Sequence, residues 1–394
     1  MKKCIIAMVF AITLIWGVII PLQADSDYES DLTQLREVTY QLIEQRSMFQ
    51  DFSEDTTSYS DVEIKLDRIR ELVRIFVEAQ SIVTGVRDLD RAPRVIVGFG
   101  PPQYVDGIYN DIFTIWVTYE RYLEFEDLIS DFTGIPKENM YLWVSGIGYI
   151  GLGNTIGSPV EIDWCPDEAI REASMRTIPT DEDVERFLEE RNRNNAARSY
   201  IPGLFPPGTH IRYRHPNSGS AMIDMGTLGH PRNATGTTAF GTSHGIVPVG
   251  AEVFTNTGTF IGIVGRSVFD PLNGIDVSYI RVSNGRVLSS VHGIGNITQF
   301  FAPATVSSNL ITAVTRRGNR TGIIGQTNGE AYLQTPSGAW HTYRNVIIST
   351  HESIGGDSGS ALVTSQGRVY GTLIGGRPNL WTIFSQATRY QHIQ

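Results

Sequence analysis

A chain of 394 residues, 41% of them hydrophobic, has room for two or three domains and an ordinary globular core. Its net charge of −10 is unevenly split: from Gly203 onward 13 arginines and no lysine face 7 acids, a net +6, while the preceding part carries 19 basic and 35 acidic residues, a net −16. The arginines are scattered except for Arg316, Arg317 and Arg320, which argues against a nucleic-acid surface and for attraction between two pieces of one chain.

At the N-terminus Lys2 and Lys3 precede an apolar run from Cys4 to Ile20, then Pro21 and Ala24 before the acidic Asp25-Ser26-Asp27. That order predicts a signal peptide over 1–24 and a secreted product, extracellular or periplasmic; the length of the run also allows an uncleaved anchor. Loss of Cys4 with the leader would leave Cys165 as a single thiol and no disulfide, so the fold must be held by its core.

Residues 25–90 read as helical, with Leu32, Leu35, Val38, Leu42 and Ile43 on one face and Val62, Leu66, Ile69, Val73 and Val77 on another. Residues 91–200 read as α/β or α+β. Arg94 to Gly98 and Ile112 to Tyr119 predict strands, Leu123 to Phe132 a helix stopped by Gly134 and Pro136, and Met140 to Val144 a returning strand. A further helix over Asp181 to Asn192 leads into the polar stretch Asn194-Asn195-Ala196-Ala197-Arg198-Ser199, the expected linker and processing site.

Residues 201–394 change character. Short runs rich in Val, Ile, Thr and Gly (Gly258–Val264, Val277–Val282, Asn309–Val314, Asn345–Ser349) are separated by Gly- or Asn-containing turns, with only a short helix possible at the end. This predicts an all-β barrel or sandwich.

Three pieces of that region form a chemical set in chain order. His244 lies in Thr242-Ser243-His244-Gly245, where a strand runs into small residues and a turn. Asp276 opens the alternating strand Asp276-Val277-Ser278-Tyr279-Ile280. Ser358 lies in Gly355-Gly356-Asp357-Ser358-Gly359-Ser360, where glycines permit a tight turn and leave its hydroxyl open to approach. A serine nucleophile needs a histidine to take its proton, and that histidine needs a carboxylate to orient it and stabilise its charged form. Each piece also has a plain structural use, as a satisfied core histidine, a strand-start acid and a polar turn.

At these residues the sequence resembles the chymotrypsin-like serine proteases, in particular the small secreted bacterial members of the streptogrisin and α-lytic type. Ala313-Val314-Thr315-Arg316-Arg317-Gly318-Asn319-Arg320-Thr321-Gly322 is similar to a further segment of that family. The resemblance implies two six-stranded Greek-key β-barrels over 201–394, a His244/Asp276/Ser358 triad, and an oxyanion hole from the N–H groups of Gly356 and Ser358. It implies support of the oxyanion turn by an Arg316–Asp357 pair. It places Glu352 at the pocket floor and Gly375 and Gly376 along its wall. Such a floor would favour Arg or Lys before the cut, unless Glu352 points to solvent instead or Arg377 neutralises it; a preference for acidic residues stays open.

The layout and acidity of the N-terminal part resemble the pro-regions of those proteases. They imply a zymogen whose pro-region is chaperone and inhibitor, acting on protein or peptide substrates as a monomer that is free of the membrane once the leader is removed. The sequence carries no metal cluster, phosphate loop or cofactor motif, so no metal or cofactor is expected, and the scattered arginines predict no nucleic-acid partner. The sequence departs from the family at Ser360-Ala361, where Gly-Pro is usual, and at Thr315, where the bacterial motif has cysteine. It also has Ile374 in place of a serine that often supports the catalytic acid. Two other readings stay open: a catalytically inactive homologue serving as an extracellular binding module, and an adhesive or sensory N-terminal region carrying a protease. An esterase fits less well, because Gly-x-Ser-x-Gly and the α/β alternation it needs are missing.

Overall fold

The computed structural model describes residues 33–46, 61–85, 95–105, 108–117, 126–144, 203–216, 222–334, 340–377 and 381–393. The leader, Cys165, the helix expected over 181–192 and the linker at 194–199 lie outside the described residues. The chain divides into two compact units, 1–94 and 95–394.

In the first unit α1 (33–46) buries Leu35 and Leu42, and α2 (Asp61–Thr84) buries Leu66, Ile69, Val73 and Val77, the helical spacing expected of a packing face. Arg46 of α1 bonds Glu71 and Glu78 of α2. These partly exposed pairs contribute little beyond fixing the approach of the helices.

The second unit begins with β1 (Ile96–Gly100), β2 (Phe113–Val117), α3 (Glu126–Thr133) and β3 (Met140–Val144). Next come β4 (His210–Arg214), β5 (Met222–Thr227), β6 (Thr238–Gly241), β7 (Glu252–Thr255), β8 (Phe260–Asp270) and β9 (Ile275–Val282). The last group is β10 (Ser307–Thr315), β11 (Gly318–Gln334), β12 (Trp340–Ser349), β13 (Ala361–Val363), β14 (Val369–Arg377), β15 (Trp381–Gln386) and the short α4 (Ala387–Tyr390).

Six strands form one antiparallel sheet in the order β5-β4-β7-β8-β9-β6. The chain just after β5 returns to β6, with Gly229 N–H donating to Phe240 O at 2.8 Å, and this curls the sheet round a core of Ile211, Tyr213, Leu228, Val253, Ile261, Val264 and Ile280. Six more strands run β10-β13-β14-β15-β12-β11, and the pairing of β10 with β11 closes the ring. Closure removes the free edges that a six-stranded sheet would otherwise expose. The fold is therefore the chymotrypsin-like pair of six-stranded barrels.

A buried polar and aromatic joint ties the barrels together. His230 Nδ1 donates to Pro231 O at 2.8 Å, so its Nε2, 3.0 Å from the Tyr390 hydroxyl, accepts from it; Tyr390 lies 2.7 Å from Thr372 Oγ1. Phe240 and Phe301 pack edge-on against each other in the same cluster. Burial lowers the His230 pKa to about 4, so the imidazole stays neutral and keeps its acceptor.

The strands in the described part of 91–200 continue the second barrel's sheet in the order β11-β1-β2-β3. The cause lies in β11, whose pairing with β10 ends at Ile324, leaving its outer half an open edge. β1 takes that edge, with Gly98 opposite Ala331 and Phe99 opposite Glu330. β2 and β3 pair in parallel, as a strand–helix–strand crossover through α3 requires. Trp116 of β2 joins the buried cluster of Leu333, Tyr343, Ile348 and Trp381. Gln103 accepts from both the N–H and the hydroxyl of Thr327 at 3.0 Å, and Gln326 donates to Pro101 O at 2.9 Å.

Candidate active site

The register of β6 and β9 brings the histidine and the acid together. Gly241 lies opposite Ser278, so continuing the antiparallel strands sets Asp276 beside Ser243 and His244. Asp276 Oδ1 accepts the main-chain N–H groups of His244 at 2.6 Å and Ser243 at 3.1 Å. Its Oδ2 lies 3.4 Å from His244 Nδ1, and both side chains are fully buried. His244 itself has φ +49°, a left-handed conformation rare outside glycine, and Gly245 follows it in the same region. The acid's own N–H donates to Ser385 Oγ of β15 at 3.0 Å.

Ser358 arrives on the turn between β12 and β13. Thr227, at the end of β5, clamps that turn to the first barrel: its N–H donates to Ser358 O at 2.7 Å and its hydroxyl to Gly356 O at 2.8 Å. The approach is so close that a Cβ on Gly359, whose φ is +95°, would stand 2.2 Å from Thr227 O, so only glycine fits there. The same Cβ would lie 3.3 Å from the backbone nitrogen of Thr242, two residues before His244. The nucleophile turn therefore rests on the strand that ends in the histidine.

The serine and histidine side chains do not bond each other. Ser358 Oγ donates to Ile374 O at 3.0 Å, and neither ring nitrogen of His244 has a hydrogen-bond partner. The three residues are assembled, but the serine hydroxyl is turned to a carbonyl of β14 instead of the imidazole.

Asp357 anchors the turn from behind, where the expected Arg316–Asp357 ion pair is present but long and Arg317 adds a shorter one. Arg316 and Arg317 are the two turn residues between β10 and β11, and Arg317 makes the direct bonds, from Nη2 at 2.9 Å and Nε at 3.3 Å to Asp357 Oδ2. Ile354 N–H adds a third at 3.0 Å. Arg316 Nε stands 3.8 Å from Oδ1, while its Nη2 donates to Gly355 O at 2.8 Å. Thr315 shapes the arginine turn through its hydroxyl, which donates to Gly318 O at 2.8 Å and accepts Arg317 N–H at 3.2 Å. Burial would lower the Arg317 pKa, but its bonds to Asp357 and Glu352 raise it, so it stays charged.

The carboxylate of Glu352 accepts from Arg317 Nη1 at 3.0 Å, and its side chain is 45% exposed. The hydrogen bond to Arg317 holds its pKa below the usual carboxylate value. Buried polar groups stand nearby: Ser353 Oγ lies 2.8 Å from Thr382 Oγ1, which donates to His351 O at 2.7 Å. Gly375 and Gly376 pair with Ile383 and Thr382 in the β14–β15 hairpin. His351 Nε2 donates to Ile311 O at 2.8 Å, leaving Nδ1 to accept from Ser349, and burial lowers its pKa to about 4.

Sequence reading missed Tyr343, whose hydroxyl donates to Asp276 Oδ2 at 3.1 Å. The available signal was a tyrosine inside the apolar strand β12, since a buried phenol needs a partner. It also missed Thr227, which looks like any strand-end threonine until the barrels meet. Among the described residues, no three His, Cys, Asp or Glu are placed to hold a metal ion.

The two six-stranded barrels have the chymotrypsin-like architecture. No protein-family model and no curated protein matches the sequence. Among solved structures, the chymotrypsin of Cellulomonas bogoriensis aligns at 19% identity over 47% of this chain and 92% of its own, with a TM-score of 0.35. Thermobifida fusca protease A gives 18% identity over 47% and 92%, with a TM-score of 0.34. A Nocardiopsis protease gives 19% identity over 47% and 93%, with a TM-score of 0.33.

Proposed function

We propose that the protein is a secreted serine endopeptidase acting through His244, Asp276 and Ser358. The observation that carries this reading is the meeting of His244 Nδ1 with the buried Asp276 carboxylate at 3.4 Å, beside a nucleophile turn clamped by Thr227. In this mechanism Ser358 Oγ leaves Ile374 O and rotates to His244 Nε2, which removes its proton as the oxygen bonds to the scissile carbonyl carbon. The N–H groups of Gly356 and Ser358 stabilise the oxyanion, at about 2.7–4 kcal/mol for each donor in comparable sites. His244 then protonates the departing amine, and a water molecule attacks the acyl-enzyme by the same route.

The pairing of β1 with β11 supports reading the N-terminal part as a pro-region that folds on the catalytic barrel and is later cut away. The commitment of Glu352 to Arg317 supports no preference for Arg or Lys before the cut. A second reading, an inactive homologue that binds instead of cutting, is favoured by the Ser358–Ile374 bond and by a His244 Nε2 with no hydrogen-bond partner.

The test is labelling of the purified secreted protein with a fluorophosphonate probe beside Ser358→Ala, with mass analysis of the labelled species. Labelling of wild type alone, on a fragment beginning near residue 200, is the expected result. Labelling of the uncut chain would keep the enzyme and reject the removable pro-region. No labelling of a processed catalytic domain would favour the binding module.

A further inference from the structure

We infer that Tyr343 is a positioning residue for the triad: from the second barrel it holds the carboxylate of Asp276, and through it the ring of His244, in the orientation the chemistry needs. This rests on the serine-hydrolase reading above.

The two oxygens of Asp276 have different partners. Oδ1 is held from within the first barrel by main-chain N–H groups of Ser243 and His244, with Thr242 Oγ1 at 3.5 Å. Oδ2 is the oxygen that faces the His244 ring, and the Tyr343 hydroxyl donates to it at 3.1 Å. Without that donor, Oδ2 would be a buried carboxylate oxygen with only the imidazole before it, and the carboxylate plane would lose its hold on the catalytic side. A hydrogen bond to an ionised, buried acceptor both orients it and stabilises its charge.

The phenol suits this task. Tyr343 is fully buried, and its pKa is raised well above the ordinary value by burial first and then by the charge of Asp276. It stays a donor throughout the range in which the enzyme would work. Its ring is wedged in the cluster of Trp116, Leu333, Val346, Ile374 and Trp381, and Phe269 of β8 packs edge-on to it with centroids 6.2 Å apart. The backbones meet beside it: a Cβ on Gly274, just before β9, would lie 2.3 Å from Arg344 O. Ser385 adds a second tie from the same barrel by accepting the Asp276 N–H. The geometry of the acid is thus set across the barrel interface, and Tyr343 supplies the hydroxyl that the apolar Ile374 lacks.

The test uses the secreted protein after processing, wild type and Tyr343→Phe, with Tyr370→Phe as control; Tyr370 OH reaches Thr305 at 3.3 Å in the second barrel, away from the acid. Two quantities are measured: the rate of fluorophosphonate reaction per folded molecule across pH, and the downfield proton resonance of His244 Nδ1. Loss of the phenol leaves more of the Asp276 charge to act on the imidazole. Tyr343→Phe is expected to lower the plateau rate about tenfold, the size of one hydrogen bond to a charged group, and to move the acid limb to higher pH. The His244 resonance shifts with it, and Tyr370→Phe changes none of these.

If Tyr343→Phe does not fold, 3-fluorotyrosine at position 343 keeps the shape and strengthens the donor, and the acid limb should move to lower pH. An unmoved acid limb together with an unmoved His244 resonance overturns the inference. If neither protein reacts with the probe, the hydrolase reading fails by itself. The His244 resonance needs no turnover and still decides the positioning.

Discussion

The main-chain N–H of His244 donates to Asp276 Oδ1 at 2.6 Å, while the ring of the same histidine stands 3.4 Å from Oδ2. One carboxylate therefore fixes both the left-handed backbone of the histidine and the direction of its ring. Asp276→Asn would present an amide to one of these two groups, which repels a donor or sets the wrong tautomer. We expect activity toward a peptide substrate to fall about 10³- to 10⁴-fold, with substrate KM little changed, as read by steady-state kinetics.

Asp357 is fully buried, and Arg317 is its only direct charged hydrogen-bond partner among the described residues. Arg317→Gln should destabilise the fold by about 2–4 kcal/mol, because it leaves a buried carboxylate under-compensated beside the oxyanion turn. Arg316→Gln should cost less, since its direct bond is to Gly355 O. Urea unfolding midpoints of the two variants decide the order, and equal losses would mean that Arg316 shares the charge of Asp357 more than the distances indicate.

Glu352 faces Arg317 and solvent. Glu352→Gln should therefore leave the relative kcat/KM for peptides with Arg, Lys, Gln and Glu before the cut unchanged. A selective loss on Arg and Lys peptides would place the carboxylate in the pocket.

His230 and His351 are both held neutral by burial, each with pKa about 4 against an ordinary 6.5. In the unfolded chain they take up protons near 6.5, so between about pH 4 and 6.5 the unfolded state binds more protons than the folded one. Stability should fall as pH drops through that window and be flat above it for these groups, by up to about 3 kcal/mol for each. His351→Gln should flatten the dependence of unfolding free energy on pH relative to wild type. An unchanged slope would mean that His351 is not buried as a neutral ring.

Trp116 lies 2% exposed in the core cluster of the second barrel, although it belongs to the segment before the catalytic region. Trp116→Ala should destabilise the uncut chain by about 3–5 kcal/mol, the usual loss for a buried indole. It should not affect a processed domain lacking β1–β3, and comparing thermal unfolding of the two forms checks this.

The all-β character of 201–394 and the strand–helix–strand segment were legible in the sequence because they rest on local signals. Glycine turns, alternating apolar strands and the returning strand Met140–Val144 are fixed by residue type and spacing. That Arg317 also bonds Asp357, at shorter range than Arg316, was not legible, because the two differ only in the direction the closed barrel gives them. The same holds for Glu352, whose partner is 35 residues away in sequence. Tyr343 and Asp276 are 67 residues apart and lie in different barrels, so their bond exists only once both sheets have closed and met. The open half of β11 likewise exists only because β10 parts from it at Ile324, and this is why β1 lies on the catalytic barrel. The sequence by itself determined the chemistry carried by each strand and turn. The tertiary structure decided which groups face one another, because burial leaves each polar group only the partners that the packing brings within hydrogen-bonding reach.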